Sequence, residues 1–371
     1  MTFGNVFSAG TESLIPFLKS MLPHAAAEAH EAEDHIGQLS GIRVVSYRAW
    51  PEDGPLEAAW RDLLARVPDA TAFHTPTWQR AALAWPQRLG RLVLIAVWNG
   101  PRLIAVLPLQ SARGARLESA AATVSDYLDP LMEPGQEETA WRAIFQFLRR
   151  YQSAPDKITL RNVRPQSICR QTLARISADE GFGFAEEVRG STCFLQLPKT
   201  WDDYLAGLKS HDRKELRRKL SKAQSQADAK LEPEFDATDT SLRAQEVFSM
   251  IEAGGGARGI KCRLLLRGLL ASTGHALARQ QWLRVFTLRL QNHTSAGVIT
   301  FRSTNGLMAW ATGYNRADDA WSPGIVAFGM TIRRAIEEGA GYLDLLRGEC
   351  DYKSRLGAVP RPLYQLTLKR A

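Results

Sequence analysis

The residues from Trp282 to Lys353 constrain the fold most tightly. WLRVFTLRL, AGVITFR and LMAWATGY have the β-branched and aromatic composition of strands, and Asn305-Gly306 between the second and third is a strong hairpin signal. Ser322 then stands where it can cap a helix, with Pro323 suited to the first turn. The helix IVAFGMTIRRAIEE stops at Gly339, and the strand YLDLL runs into RGECDYKSRLG, a loop dense in ionisable groups. This is the layout of a ligand site.

The first half repeats that order. RLVLIAVW and RLIAVLPLQ flank Asn99-Gly100-Pro101 as a hairpin, and Tyr127, Pro134-Gly135, the helix TAWRAIFQFLRRY and the strand KITLRNV follow. In the second half the counterparts are Tyr314, Pro323-Gly324, a helix and the strand around Leu343. Repeated order in a chain of 371 residues, too long for one typical core, predicts two related mixed α/β domains. The expected division is a mobile N-terminal arm over residues 1–40, a first domain over 41–195 and a second over 196–371. Helices are expected from Pro55 to Arg66, from Thr75-Pro76, from Thr200, from Ser210, and around SLRAQEVFSMIEA and KCRLLLRGLLAST. Between the last two, residues 252–261, EAGGGARGIK, read as a flexible loop at the edge of a site.

A net charge of +8 favours an anionic partner without choosing among nucleotides, acyl carriers, RNA, membrane surfaces and acidic glycans. No apolar run approaches the ~18 residues of a membrane span, and the N-terminus lacks a signal-peptide pattern, so a cytoplasmic protein, at most peripheral to the inner membrane, is expected. Cys169, Cys193, Cys262 and Cys350 form no CxxC pair, and the spacing of His24, His30 and His35 does not suit one helical face. Neither a metal nor a disulfide framework is indicated.

KSHDRKELRRKLSKA, WATGYNRADDAWSPGIVAFGMTIRRAIEEGAG and YLDLLRGECDYKSRLG together resemble the CelD/BcsL-type acetyltransferases. These are GNAT-superfamily proteins related to the Fem aminoacyltransferases, and many are assigned to exopolysaccharide or cellulose synthesis. The resemblance covers about residues 42–369 and implies two GNAT-like domains side by side, the first on the acceptor side and the second carrying donor binding and catalysis. It also implies transfer of an acyl group from an acyl-CoA or acyl-carrier-protein thioester to an amine or hydroxyl of a small-molecule, glycan or peptide acceptor, with no tightly bound cofactor. In such a site the donor's phosphates meet N–H groups at a helix start, here Ser322 to Gly329 with Gly324, Ile325 and Val326 as donors. The usual Gln/Arg-x-x-Gly-x-Gly/Ala loop is replaced by Trp-Ser-Pro-Gly, which keeps an acyl carrier protein or an aminoacyl-tRNA open as donor. A Fem-like tRNA-dependent transferase and a non-catalytic polysaccharide assembly subunit are the other readings.

Tyr314, ending the third strand, can protonate a leaving thiolate or simply pack. Glu349 is the first choice of base, with Asp344 beside it; Asp344 can equally pair with Arg347 or Lys353. Arg213 and Arg217 lie one helical turn apart and can clamp an anion or lie on a solvated face; the resemblance favours donor binding by Arg213, Arg217 and Arg218. Asp126, Tyr127 and Asp129 occupy the position equivalent to Tyr314, where they reach an acceptor or serve as turn residues. Tyr352 and Lys353 match a Tyr-Lys of the family, which implies acceptor binding.

Overall fold

The computed structural model describes residues 34–370 except 40, 52–53, 85–90, 113–114, 151–154, 234–235 and 349–350. Most of the expected arm, with His24 and His30, lies outside the described residues, but its last part is a strand, β1 (Asp34–Leu39), that pairs antiparallel with β2 (Ile42–Tyr47). The first half continues with α1 (Pro55–Arg66), a 3-10 turn at Ala72–His74, α2 (Pro76–Ala84), β3 (Leu92–Asn99), β4 (Arg102–Ala112), β5 (Arg116–Ser119), the short β6 (Leu131–Met132), α3 (Glu137–Arg150), β7 (Lys157–Val163), α4 (Ile168–Ile176) and β8 (Phe182–Gln196). The second half holds α5 (Trp201–Gly207), α6 (Ser210–Ala227), β9 (Lys230–Pro233), α7 (Ala237–Ala253), α8 (Gly256–Lys261), a π turn at Cys262–Leu266 and α9 (Arg267–Arg279). It ends with β10 (Leu283–Leu290), β11 (His293–Ser303), β12 (Gly306–Tyr314), a 3-10 turn at Arg316–Trp321, α10 (Pro323–Glu337), β13 (Tyr342–Arg347), α11 (Asp351–Arg355) and β14 (Val359–Arg370).

The fold is mixed α/β, as the sequence predicts. Both halves contain an antiparallel meander whose last strand is joined through a helix to a parallel neighbour: β5 with β7 across α3, and β12 with β13 across α10. The strands nevertheless form one sheet, in the order β1-β2-β3-β4-β5-β7-β14-β8-β13-β12-β11-β10-β9, with β6 attached to β4. The halves exchange edges within it. β8 pairs with β13 of the second half, and the last strand of the chain, β14, lies between β7 and β8. A division near residue 195 therefore runs through one continuous sheet.

Helix starts follow the sequence signals in part. Thr75 Oγ1 accepts the Trp78 N–H at 3.1 Å and Thr200 Oγ1 accepts that of Asp203 at 3.1 Å, both as expected of caps. Ser210 is the first residue of α6, not its cap; Lys209 occupies the cap position without a side-chain bond. Residues 252–261, expected as a loop, contain the helix α8. A glycine-rich segment can still be helical where neighbouring helices supply the packing that its own propensity lacks.

Aromatic packing joins the halves. Phe73 and Trp78 from the first half meet Phe301 of β11 edge-on at 5.4 Å, and Trp78 meets Trp310 of β12 at 5.3 Å. On the same face α7 comes unusually close to the sheet, because Gly297 and Gly313 are cross-strand partners and give the backbone room. A carbon added at Gly313 would lie 2.4 Å from the Val247 carbonyl oxygen. Gly313→Ala should therefore lower unfolding stability by about 1–3 kcal/mol in urea denaturation, as overpacking does. Gly190→Ala, whose added carbon would meet nothing within 4 Å, is the control and should change the midpoint little.

Candidate active site

The parallel pairing of β12 and β13 is brief. It runs over Gly306↔Tyr342, Leu307↔Leu343 and Met308↔Asp344, after which β12 continues to Tyr314 and β13 to Arg347 without further pairing to each other. Each strand has a local reason to leave. Ile299 faces Ala311 while Thr300 faces Ala309, so Trp310 is an extra, bulged residue on β12. On β13, Leu346 adopts φ 56° and Gly348 φ 97°, which turns the chain out of the strand. The turn encloses Lys353. Its buried Nζ lies within hydrogen-bond distance of four successive carbonyls, which share its three N–H groups: those of Leu345 at 2.8 Å, Leu346 at 3.2 Å, Arg347 at 3.0 Å and Gly348 at 2.8 Å. Lys353, expected at the acceptor, thus fixes the end of β13, and the two strands form a fork.

Asp344 stands at the base of the fork and is 4% exposed. Leu343 and Leu345 face the core under α10, so alternation turns Asp344 towards the first half. There Tyr127 donates its phenol hydrogen to Asp344 Oδ2, and the Leu346 N–H donates to Oδ1 at 2.8 Å. Burial pushes the Asp344 carboxyl up to about 6, against the opposing pull of these two hydrogen bonds. On account of this group, folding stability is fully present below about pH 4, the ordinary aspartate value, and declines as pH rises through about 6. Burial, followed by the charge of Asp344, holds the Tyr127 phenol well above its ordinary value, so it remains a donor.

The three first-half residues among the five expected at the acceptor, Asp126, Tyr127 and Asp129, reach the junction between halves, and all have protein partners. Asp126 accepts from Arg347 Nε, whose Nη2 also reaches the Ser125 carbonyl at 3.1 Å. Asp129 binds Arg164 twice, to Nε at 2.7 Å and to the backbone N–H at 3.0 Å. Burial opposes ionisation of Asp129, yet the Arg164 charge keeps its carboxyl below the ordinary value. Beside them His74 is pushed down to about 4 by burial and by Arg164, so its ring is neutral. Tyr352 is half-buried, its ring 5.5 Å from Phe328. Glu349 lies outside the described residues.

At the open end of the fork Tyr314 is 40% exposed and packs against Gly324, where an added carbon would lie 3.4 Å from its ring. Ser322 occupies the cap position of α10 in the left-handed region, φ 52°, and makes no side-chain cap. Its carbonyl accepts the N–H groups of Ile325 at 3.0 Å and Val326 at 3.1 Å. Two of the three expected phosphate donors thus have a partner, while Pro323 has no N–H and Gly324 has no partner among the described residues. Gly329 faces α6, where an added carbon would lie 3.0 Å from Leu216 and 3.3 Å from Leu220. It permits close helix contact.

Of the basic residues on α6, Arg218 forms an ion pair with Glu215 at 2.9 Å, Arg213 donates to the Ala206 carbonyl at 3.3 Å, and Arg217 is exposed. Lys222 is the cation at the start of α10: it donates to the Ala320 carbonyl at 3.0 Å and lies 4.8 Å over the Trp321 ring. Its sequence signal was its place at the end of the basic run from Lys209 to Lys222, one turn beyond Arg218. Arg164 and Thr192 carried no such signal, because their roles arise only when distant strands meet.

Residues 210–354 match the acetyltransferase (GNAT) domain. The matched GNAT segment runs from α6 through the fork to α11. Among solved structures, FemX has a TM-score of 0.58 at 11% identity, covering 84% of this chain and 95% of that one. A conserved protein of unknown function from Bacteroides thetaiotaomicron reaches 0.53 at 12% identity over 84% and 97%, and a DUF2156 C-terminal domain from Agrobacterium fabrum reaches 0.52 at 13% over 84% and 90%. These likenesses show a shared fold. No curated protein matches the sequence. Among the described residues, no group of three His, Cys, Asp or Glu is arranged to hold a metal, and no helix is long and apolar enough to cross a membrane.

Lys353→Met removes the ammonium and leaves buried carbonyls without their donor. It should lower unfolding stability by about 1–3 kcal/mol, measured by denaturant titration.

Proposed function

We propose that this protein is an acyltransferase that moves an acyl group from a thioester donor to an amine or hydroxyl acceptor. The observation that carries this is the fork, in which β12 and β13 part after Met308 and Asp344 with a carboxylate at the dividing point. An extended thioester arm lying between the strands can take the place of the ladder partner that each has lost. The match of residues 210–354 to the GNAT acetyltransferase domain makes acyl-CoA the first donor to test, ahead of an acyl carrier protein. Gly324 N–H and Lys222, near the start of α10, are the groups assigned to the donor's phosphates.

In the reaction the acceptor nitrogen or oxygen attacks the thioester carbonyl. Its proton passes to Asp344 directly or through one water, the new C–N or C–O bond forms, the C–S bond breaks, and the departing thiolate takes a proton from solvent or from Tyr314. Peptides, glycans and their amino-sugar precursors are the acceptors to screen, with exopolysaccharide or envelope synthesis as the proposed setting. A second reading, transfer from an aminoacyl-tRNA, is motivated by the exposed Lys209, Lys214 and Arg217 on or beside α6. It requires binding that weakens with salt by about 0.7–0.9 log units per phosphate contact for each log unit of salt.

Incubation with a panel of acyl-CoA donors and such acceptors should give acylated products by mass spectrometry. Absence of transfer from every thioester, carrier-bound ones included, overturns the proposal. Asp344→Asn should lower kcat by about 10²–10⁴-fold, the usual contribution of a general base. Since only the carboxylate accepts a proton, wild-type kcat/KM should rise with pH through about 6, and that limb should vanish in Asp344→Asn.

A further inference from the structure

We infer that Tyr127 is a positioning residue for acyl transfer: its phenol orients the Asp344 carboxylate and keeps it ready to accept the acceptor's proton, so that both halves of the chain build the reaction centre. This rests on the proposed role of Asp344 as base. The contact joins residues 217 positions apart, and its geometry leaves the carboxylate little freedom. Tyr127 occupies Oδ2 and the Leu346 N–H occupies Oδ1, so the plane of the carboxyl group is fixed by one donor on each oxygen. Each oxygen retains a lone pair for the acceptor or a bridging water.

Tyr127 is itself held from several directions. The Arg164 guanidinium lies 5.2 Å from its ring centre and is anchored by Asp129, and Phe73 meets the ring edge-on at 6.3 Å. Thr192 Oγ1 lies 3.3 Å from the phenol oxygen, placed to donate to it once the phenol hydrogen is directed at Asp344. Backbone supports complete the arrangement: Asn162 donates through Nδ2 to the Ser125 carbonyl at 2.9 Å, and the Leu128 N–H reaches the Asn162 carbonyl at 3.3 Å.

The groups around Asp344 define what its ionisation answers to. From the 125–129 segment come Tyr127 and Asp126, from β8 comes Thr192, and Arg164 follows β7. On its own strand are Tyr342 and Arg347, the latter paired with Asp126, while Lys353 of α11 acts on the strand carbonyls. Tyr127 is the one whose hydrogen bond to the carboxylate a single-atom change removes.

Tyr127→Phe deletes that bond while keeping the ring. A hydrogen bond to the charged form favours it, so its loss should move the acidic limb of kcat/KM upward by about one pH unit. Loss of packing alone would lower stability without moving the limb. The companion readout needs no turnover: the titration of Asp344 followed by carboxyl carbon NMR in aspartate-labelled protein should move by the same amount. Should Tyr127→Phe fail to fold, 2,3-difluorotyrosine placed at position 127 keeps the shape and strengthens the donor, and both titrations should then move downward. Parallel movement of the kinetic limb and the Asp344 titration supports the inference. If neither moves, it is overturned although transfer itself stands. If the NMR titration moves and the kinetic limb does not, Asp344 is removed as the base and the inference is overturned, with the hydrogen bond left as a structural contact.

Discussion

The site depends on a buried ammonium. A parallel strand left to itself continues its ladder until its partner ends, and a completed ladder between β12 and β13 would leave no space between them. Lys353 draws four consecutive carbonyls of β13 and its end into a curl around one charge, which carries the strand away from β12 while Arg347 still pairs with Thr192 of β8. Charge-assisted bonds of this kind are stronger than neutral ones. The left-handed turn at Leu346 follows from the same curl, and it delivers the N–H that binds Asp344. Lys353 thus ends β13 and helps orient the carboxylate, while the bulge at Trp310 turns β12 the other way to open the fork.

The junction between halves divides its work by polarity. Phe73, Trp78, Phe301 and Trp310 supply an aromatic block that excludes water on one side. Next to it, Asp129–Arg164 and Asp126–Arg347 are ion pairs linking separate segments. Such pairs fix register because misalignment by one residue would strand a charge in a poorly hydrated place. Asp344 differs from both in having a phenol as its side-chain hydrogen-bond partner, which explains why burial raises its proton affinity while Asp129 stays acidic.

Local features were legible in the sequence. The hairpins at Asn99-Gly100 and Asn305-Gly306, the caps at Thr75 and Thr200 and the helix ending before Gly339 are decided by residues within a few positions of one another. The mixed α/β class followed from their order. Features decided at long range were not legible: the pairing of β14 with β7, the close seating of α6 on Gly329 and the meeting of Tyr127 with Asp344 require the assembled sheet. Ser322 misled for a different reason. Its residue type suits a cap, but its left-handed backbone directs its carbonyl to Ile325 and Val326 and makes no use of its hydroxyl. Lys353 was singled out as functional on resemblance, whereas its burial among carbonyls depends on a turn that no local pattern announces.

The exchange of sheet edges bears on how the chain is made. During synthesis β7 emerges well before β14, the strand that lies between it and β8. β8 likewise waits for both β13 and β14. Domains usually fold in turn as they emerge. Here the middle of the sheet closes only once residues 342–370 have emerged, so the two halves complete their sheet together and not in turn.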